Sequence, residues 1–226
     1  MKLRIFKGCY YIFLILLILL FYTKDINLFG NRFYKNIKII KNEDDILVLV
    51  NKNNKLTKSY VPLSLVKLDT KYAHEEKYLR KEAKEAFERL SKNAKKKKLD
   101  IIAVSTYRSF SYQENLFQGY VKDFGKKYAL KCSAKPGHSE HQTGLAVDVM
   151  GSNGDYNLFE KSKEFTWMSE NAHKYGFILR YPKGKESVTG YDYEAWHYRY
   201  VGVKAAKKIK EKNITFDEYY MEFLET

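Results

Sequence analysis

The chain begins with an unbroken apolar run at residues 9–22, which follows three basic residues. A basic start followed by such a run is typical of a signal or membrane-anchor segment. No small-x-small cleavage pattern comes directly after the run. We therefore predict an uncleaved single-pass anchor in the cell membrane over residues 1–23, with a cleaved and secreted form as the alternative. The positive end would lie inside, and the rest of the chain would be extracytoplasmic.

Beyond a polar stretch at residues 24–45, interpreted as a tether, short apolar runs are interspersed with amphipathic segments. The apolar runs have the length of buried strands, and the amphipathic segments carry apolar residues at helical spacing. The predicted strands are 46–50, 101–109 (running into a loop), 144–149, 177–181 and 195–201, and the predicted helices are 75–97, 111–124, 161–175, 203–212 and 216–224. Because they do not follow a regular βαβ rhythm, we predict one α+β domain over residues 46–226.

Local signals mark several helix ends. Ser111 with Glu114, and Thr215 with Glu218, have the spacing of capping boxes, and Gly176 is placed to end the third helix. The first helix is expected to bury Leu79, Ala83, Ala86, Phe87, Leu90 and Ala94. The second is expected to bury Tyr112, Leu116, Phe117, Tyr120, Val121 and Phe124.

Charge and cysteine content limit the surroundings of the protein. The formal net charge of +14 favours contact with polyanions such as nucleic acid, anionic lipid or an anionic cell wall. The export segment argues against nucleic acid, so we expect no nucleic-acid partner. Cys132 is the one cysteine beyond the apolar run, so no intrachain disulfide can form in the exported part, and this residue is interpreted as a structural thiol.

Histidine and acidic residues form a candidate metal site. His141 and Asp148 lie close together in "HQTGLAVD", and His197 lies in "YEAWHYRY". Two imidazoles and one carboxylate form a hydrolytic zinc set that leaves a coordination position for water. Asp148 lies between two valines, which is expected if its face of a strand lines the metal site while the valines pack into the core.

Glu194 and Arg108 are the candidate catalytic residues. A carboxylate near the metal can take the proton of the bound water and pass it to the leaving amine, which makes Glu194 the candidate base. Because Glu194 and His197 are three positions apart, their strand must begin irregularly or bulge if both face one site. Arg108 follows a predicted strand and could hold a substrate carboxylate or stabilise an oxyanion.

Three stretches carry a family resemblance. "SEHQTGLAVD", "EAWHYRYVG" and "YRSFSYQ" resemble the VanY-like zinc D-Ala-D-Ala carboxypeptidases, a metallopeptidase group that includes VanX-type dipeptidases and shares its fold with the Hedgehog signalling domain. The resemblance extends from about residue 47 to the C-terminus. It implies a small antiparallel sheet flanked by helices.

The resemblance also implies a set of functional residues. One Zn²⁺ per chain would be held by His141, Asp148 and His197. Glu194 would act as general base and acid, and Arg108 would polarise the scissile carbonyl. Ser139 and Gln113 would line the substrate pocket.

The expected activity is removal of the C-terminal D-alanine from peptidoglycan stem peptides by a monomeric D,D-carboxypeptidase. An L,D-carboxypeptidase acting on tetrapeptide stems is an alternative, because the same metal centre serves either stereochemistry. A non-catalytic zinc-containing wall-binding module is another, although the intact Glu194 and the open ligand set argue against it.

Overall fold

The computed structural model describes residues 33–151, 154 and 156–225. The predicted anchor over residues 1–23 lies outside this part of the chain. Within the described residues, no helix is both long enough and apolar enough to cross a membrane. Residues Ile37–Thr226 form one compact unit, so the folded unit includes the end of the stretch interpreted as a tether.

The strands are short, and most of the helices lie between them in the chain. The described strands are β1 (Lys38–Ile39), β2 (Asn54–Lys55), β3 (Leu65–Lys67), β4 (Tyr78–Arg80), β5 (Ile102–Ser105), β6 (Ala146–Met150), β7 (Phe177–Leu179) and β8 (His197–Tyr200). The described α-helices are α1 (Lys81–Lys95), α2 (Phe110–Phe124), α3 (Lys126–Cys132), α4 (Tyr156–Phe159), α5 (Lys163–Asn171), α6 (Glu186–Thr189), α7 (Val203–Lys212) and α8 (Phe216–Phe223). Short 3₁₀ turns occupy Thr70–Tyr72, Glu140–Thr143 and Ala172–Tyr175.

A four-stranded antiparallel sheet with the order β5-β6-β8-β7 forms the centre of the unit. Strands β3 and β4 make a separate antiparallel pair, and β1 and β2 a short parallel pair. The α+β architecture with an antiparallel sheet is therefore confirmed. Strands β6 and β8, which carry two of the predicted metal ligands, are neighbours at the middle of the sheet.

The main hydrophobic core lies on one face of this sheet. Val147 and Val149 of β6 belong to the same buried cluster as Phe87 of α1 and Tyr198 of β8. Because side chains alternate along a strand, Asp148 between the two valines points to the opposite face. The expected division of β6 into a core face and a site face is confirmed.

Residues 46–50 do not form the predicted strand. Val48, Leu49 and Val50 are buried, so the apolar run was informative about burial. Its backbone does not pair with a neighbouring strand; instead, the carbonyl oxygens of Ile46 and Val48 accept hydrogen bonds from Arg199 Nη2 at 2.9 and 3.0 Å. The Arg199 side chain thus forms the hydrogen bonds with these carbonyl groups that a neighbouring strand would otherwise form.

Two predicted helix starts were wrong. The first helix begins at Lys81 because the preceding residues Tyr78–Arg80 pair with Leu65–Lys67, and Leu79 is buried from a strand. The second begins at Phe110, where the Ser109 hydroxyl accepts a hydrogen bond from the Tyr112 N–H, so Ser111 is not the cap.

The buried face of α2 also differs from the prediction. Its buried residues are Gln113 and Phe117, whereas Tyr112 and Phe124 are exposed. By contrast, the capping box of Thr215 and Glu218 is confirmed at the start of α8, and Gly176 ends the third predicted helix in a left-handed conformation at φ 85°.

Candidate metal centre and active site

The three predicted metal ligands are positioned by two strands and a turn. His141 lies in the 3₁₀ turn Glu140–Thr143, which ends at Gly144 in a left-handed conformation (φ 66°) just before β6. Asp148 lies on β6, and His197 is the first residue of β8. Asp148 and His197 are direct partners in the antiparallel register, so the sheet itself brings the carboxylate and the second imidazole together.

The ligand atoms converge on one point. One atom from each of His141, Asp148 and His197 lies within 4.8 Å of the others. His141 Nε2 is 3.3 Å from Asp148 Oδ2, and His197 Nδ1 is 3.0 Å from Asp148 Oδ1. All three residues are buried. The sequence prediction of these three residues as one cluster is confirmed.

The donor set fits zinc. His141 Nδ1 is 2.6 Å from the Thr106 carbonyl oxygen, which fixes the ring with Nε2 aimed at the cluster. His141 Nε2 is buried and has no hydrogen-bond partner among the described residues. Two imidazole nitrogens and one carboxylate oxygen are a three-ligand set with a free fourth position, as catalytic zinc sites require.

Glu194 lies beside the cluster because β8 begins with a turn. Ala195 and Trp196 form this turn and strand geometry starts at His197. Glu194 Oε2 is therefore only 3.6 Å from His197 Nδ1. The expected irregular start of the strand is confirmed. Burial is the main reason why the pKa of Glu194 rises to about 7.

Arg108 lies on the other side of Asp148. Its Nη2 atom is 3.8 Å from Asp148 Oδ2, and its backbone N–H donates to the His141 carbonyl oxygen at 3.2 Å. The Nε atom is buried without a hydrogen-bond partner among the described residues. The guanidinium group therefore keeps donor capacity for a further acceptor beside the metal cluster.

A cavity of about 330 Å³ opens onto these groups. Ser139 and Gln113 both line it and both are buried. The Gln113 side-chain amide donates to the Ala134 carbonyl oxygen at 2.8 Å, while its Oε1 atom has no partner among the described residues. Other lining residues include the aromatic, aliphatic and thiol side chains of Leu116, Tyr120, Cys132, Tyr181, Tyr191 and Trp196.

Comparison with known proteins matches the sequence of this chain to a family. Residues 76–203 match the sequence pattern of the VanY family, which is described as D-alanyl-D-alanine carboxypeptidase. The chain belongs to the VanY family. The YodJ protein of Bacillus subtilis (strain 168) is 44% identical over 191 residues, which span 81% of this chain and 70% of that protein.

Two solved structures are similar over most of the folded unit. The LdcB LD-carboxypeptidase has a TM-score of 0.78 at 44% identity, and the match covers 83% of this chain and 91% of that chain. The vancomycin-resistance D,D-pentapeptidase VanY, solved with Zn(II), has a TM-score of 0.68 at 31% identity, covering 76% of this chain and 97% of that chain. This VanY-family protein is thus a zinc-dependent carboxypeptidase of peptidoglycan peptides, and His141, Asp148 and His197 bind its Zn²⁺.

The protonation states of the three zinc ligands follow from their surroundings. Burial, helped by the nearby Arg108, lowers the pKa of His141 to about 4. Burial opposes a charge on His197, but the adjacent carboxylates of Asp148 and Glu140 outweigh it and raise its pKa to about 9. The two histidines hold the pKa of Asp148 well below its usual range, although burial acts in the opposite direction. The metal-free site is therefore an anionic carboxylate between one neutral and one charged imidazole.

A buried ion network that the sequence did not predict lies behind His197. Glu140 Oε1 accepts hydrogen bonds from Arg180 Nε at 2.7 Å and Arg199 Nη1 at 3.1 Å, and Arg180 Nη1 donates to Asp217 Oδ2 at 2.6 Å. Burial opposes ionisation of Glu140, yet the two guanidinium groups keep its pKa well below its usual range. The arginines inside the apolar runs "FILRY" and "HYRYV" were the available signal, since a buried arginine requires an anionic partner.

Proposed function

We propose that this VanY-family enzyme acts mainly as an L,D-carboxypeptidase, removing the C-terminal D-alanine of tetrapeptide stems. The observation that carries the proposal is the similarity to the LdcB LD-carboxypeptidase, at 44% identity and a TM-score of 0.78. The corresponding values for the D,D-pentapeptidase VanY are 31% and 0.68. This comparison changes the preference from the D,D-cleavage expected from the sequence.

Apolar side chains on the cavity wall would suit a residue with a longer side chain before the scissile bond. In a tetrapeptide the scissile bond joins an L-residue to the terminal D-alanine, whereas in a pentapeptide it joins two D-alanines. A volume of about 330 Å³ falls in the range of pockets that enclose small ligands. Leu116, Tyr120 and Trp196 on its wall can pack against the aliphatic part of a longer side chain.

D,D-cleavage of pentapeptide stems is the second candidate. It is favoured by the match of residues 76–203 to a family described as D-alanyl-D-alanine carboxypeptidase. Both reactions release D-alanine, so the residues around the metal would serve either one. The two candidates differ only in the residue that must fit on the other side of the scissile bond.

We assign the chemical roles as follows. Zinc, when bound, polarises the scissile carbonyl and lowers the pKa of water. Glu194 takes a proton from the attacking water and transfers it to the leaving amine nitrogen as the C–N bond breaks. A pKa of about 7 suits a group that must both accept and donate a proton. Arg108 donates to the carbonyl oxygen as negative charge develops on it.

Ser139 and Gln113 are proposed to position the substrate. Both face the cavity, and Gln113 Oε1 has no partner among the described residues. This acceptor is suited to a peptide N–H of the stem. The Ser139 hydroxyl can donate to a substrate oxygen, such as one of the terminal carboxylate.

The decisive experiment compares two stems of matched sequence. The purified full-length protein is incubated with tetrapeptide and with pentapeptide, and D-alanine release is followed with zinc, with a chelator, and after zinc is restored. We expect faster release from the tetrapeptide, lost with chelator and recovered with zinc. Faster release from the pentapeptide would assign the D,D activity, and no release from either stem would contradict both candidates.

We further propose that the enzyme works as a monomer outside the cytoplasm, held at the membrane by residues 1–23. The basic start and the apolar run support the anchor. The metal cluster is complete within one chain, so the proposed activity does not require a residue from a second copy. Cell fractionation, protease accessibility on intact protoplasts and light scattering of the purified protein test these points. Recovery of the mature chain only in the medium would establish the cleaved form instead.

A further inference from the structure

The zinc ligand His197 has a second nitrogen that faces away from the metal cluster. Its Nδ1 atom is 3.0 Å from Asp148 Oδ1, on the metal side. Its Nε2 atom is 3.6 Å from Glu140 Oε2. Both Nε2 and Oε2 are buried, and neither has a hydrogen-bond partner among the described residues. Two complementary polar atoms therefore face each other, and a small rotation of the ring would join them.

The Glu140 carboxylate is held rigidly in this place. Its other oxygen accepts from Arg180 Nε at 2.7 Å and from Arg199 Nη1 at 3.1 Å. Arg180 and Arg199 are fully buried, and Glu140 is only 1% exposed. With two guanidinium groups on Oε1, the carboxylate can neither rotate freely nor be solvated, so Oε2 stays directed at the imidazole.

The network is electrically balanced and anchored at both ends. Arg180 Nη1 donates to Asp217 Oδ2 at 2.6 Å, which gives two positive and two negative buried groups. Arg199 Nη2 donates to the carbonyl oxygens of Ile46 and Val48. Burying four charges is costly, and apolar residues of similar size would fill the same space. This cost makes a role at the adjoining metal site the better explanation for the carboxylate.

We propose that Glu140 is a positioning residue for zinc, which accepts a hydrogen bond from His197 Nε2–H and so leaves Nδ1 as the metal-binding atom. A carboxylate partner on the outer nitrogen fixes the tautomer and ring orientation and makes the imidazole a better donor to the metal. Through Arg180 and Asp217, the same carboxylate links the zinc site to the C-terminal helix α8.

The first test needs no substitution. The zinc-loaded full-length protein, labelled with ¹⁵N at histidine, is examined by NMR spectra that connect ring nitrogens to ring protons. We expect His197 to show a protonated, hydrogen-bonded Nε2 and a metal-bound Nδ1. Zinc on Nε2, or an Nε2–H exposed to water, would overturn the proposal.

The second test separates the carboxylate from the network around it. Glu140→Gln removes the negative charge that Arg180 and Arg199 share. The buried positive charge is then not fully compensated, so this variant is also expected to destabilise the fold. The double variant Glu140→Gln/Arg199→Gln keeps the buried charges balanced. Zinc affinity is measured by competition with a chelator, and the fold of the zinc-free protein by circular dichroism and thermal unfolding.

We expect the double variant to bind zinc about 10- to 100-fold more weakly, as is usual when such a partner is removed. Arg199→Gln alone is the matched control: it keeps the carboxylate, which Arg180 still holds, and should weaken zinc binding much less than the double variant does. Native zinc affinity in a well-folded double variant would overturn the proposal. If Arg199→Gln weakens zinc as much as the double variant, the effect belongs to the network and the role of Glu140 is wrong.

Discussion

Asp148 and His197 are register partners in the central sheet, and their side chains meet with Oδ1 and Nδ1 3.0 Å apart. An antiparallel pairing of β6 with β8 thus places two metal ligands from distant parts of the chain side by side. The core valines on either side of Asp148 fix this register, because a shift by one residue would turn the carboxylate into the core. Packing on one face of the sheet therefore determines the metal geometry on the other.

Zinc affinity should rise with pH between about 7 and 9. In the metal-free site the pKa of His197 is raised to about 9, so the ring is protonated below that pH and must lose a proton when zinc binds. His141, with its pKa lowered to about 4, is already neutral. We expect the dissociation constant to fall by up to about tenfold per pH unit in this range and then to level off.

Chelator competition at several pH values measures this dependence. Calorimetry in buffers of different ionisation enthalpy counts the released protons independently. An affinity that does not change between pH 7 and 9, with no proton release, would mean that His197 is neutral in the metal-free protein.

Glu194→Gln should remove activity and leave the metal in place. Glutamine keeps the shape of the side chain but cannot take a proton, and general acid–base groups contribute about 10²- to 10⁴-fold in rate. We expect kcat to fall by this factor while zinc content stays at one ion per chain. Glu85→Gln, at an exposed position of α1, is the control and should have native activity. Full activity of Glu194→Gln would show that another group carries the proton.

The sequence predicted the metal ligands but not the buried residues that contact them. His141 and His197 were identifiable because histidine is rare in this chain, and Asp148 because a carboxylate between two valines is unusual. Glu140 lies in the same short motif and was missed. Its partners Arg180 and Arg199 are far away in the chain. Its role depends on tertiary contacts that the spacing of residues in the sequence does not predict.

The secondary-structure predictions were wrong where tertiary contacts overrode local sequence signals. Residues 78–80 continue the helical pattern of α1 but pair with β3 instead. The 46–50 run has strand composition, yet its carbonyl groups are bound by the Arg199 side chain. In both places the backbone conformation is determined by hydrogen bonds to a segment that is distant in the sequence. Local composition does not identify such a segment.

Arg108→Lys should reduce kcat much more than it changes KM. Lysine keeps the charge but loses the planar fork that can hold two acceptors at once. Loss of a single oxyanion donor typically costs about 10²- to 10³-fold in kcat. Steady-state kinetics on the preferred stem peptide measures both parameters. The control is Arg89→Lys on the exposed face of α1, which should have native kinetics. A rise in KM at unchanged kcat would instead place Arg108 on the terminal carboxylate of the substrate.

Gly144→Ala should weaken both the fold and zinc binding, because this glycine joins the His141 turn to β6. Its φ of 66° is unfavourable for alanine, and an added Cβ would lie 2.8 Å from Leu65 Cδ2. We expect the free energy of unfolding to fall by about 1–3 kcal/mol, as for other strained left-handed residues. Zinc affinity should fall as well, since relief of the clash moves the backbone that carries His141.

Gly119→Ala is the matched control for this substitution. Gly119 lies inside α2 with open space around the position of a Cβ, so alanine should raise the free energy of unfolding by about 0.5–1 kcal/mol. Denaturant unfolding of the zinc-free proteins and chelator competition measure the two effects separately. If Gly144→Ala kept native zinc affinity despite a lower stability, His141 would be positioned by its bond to the Thr106 carbonyl rather than by the turn.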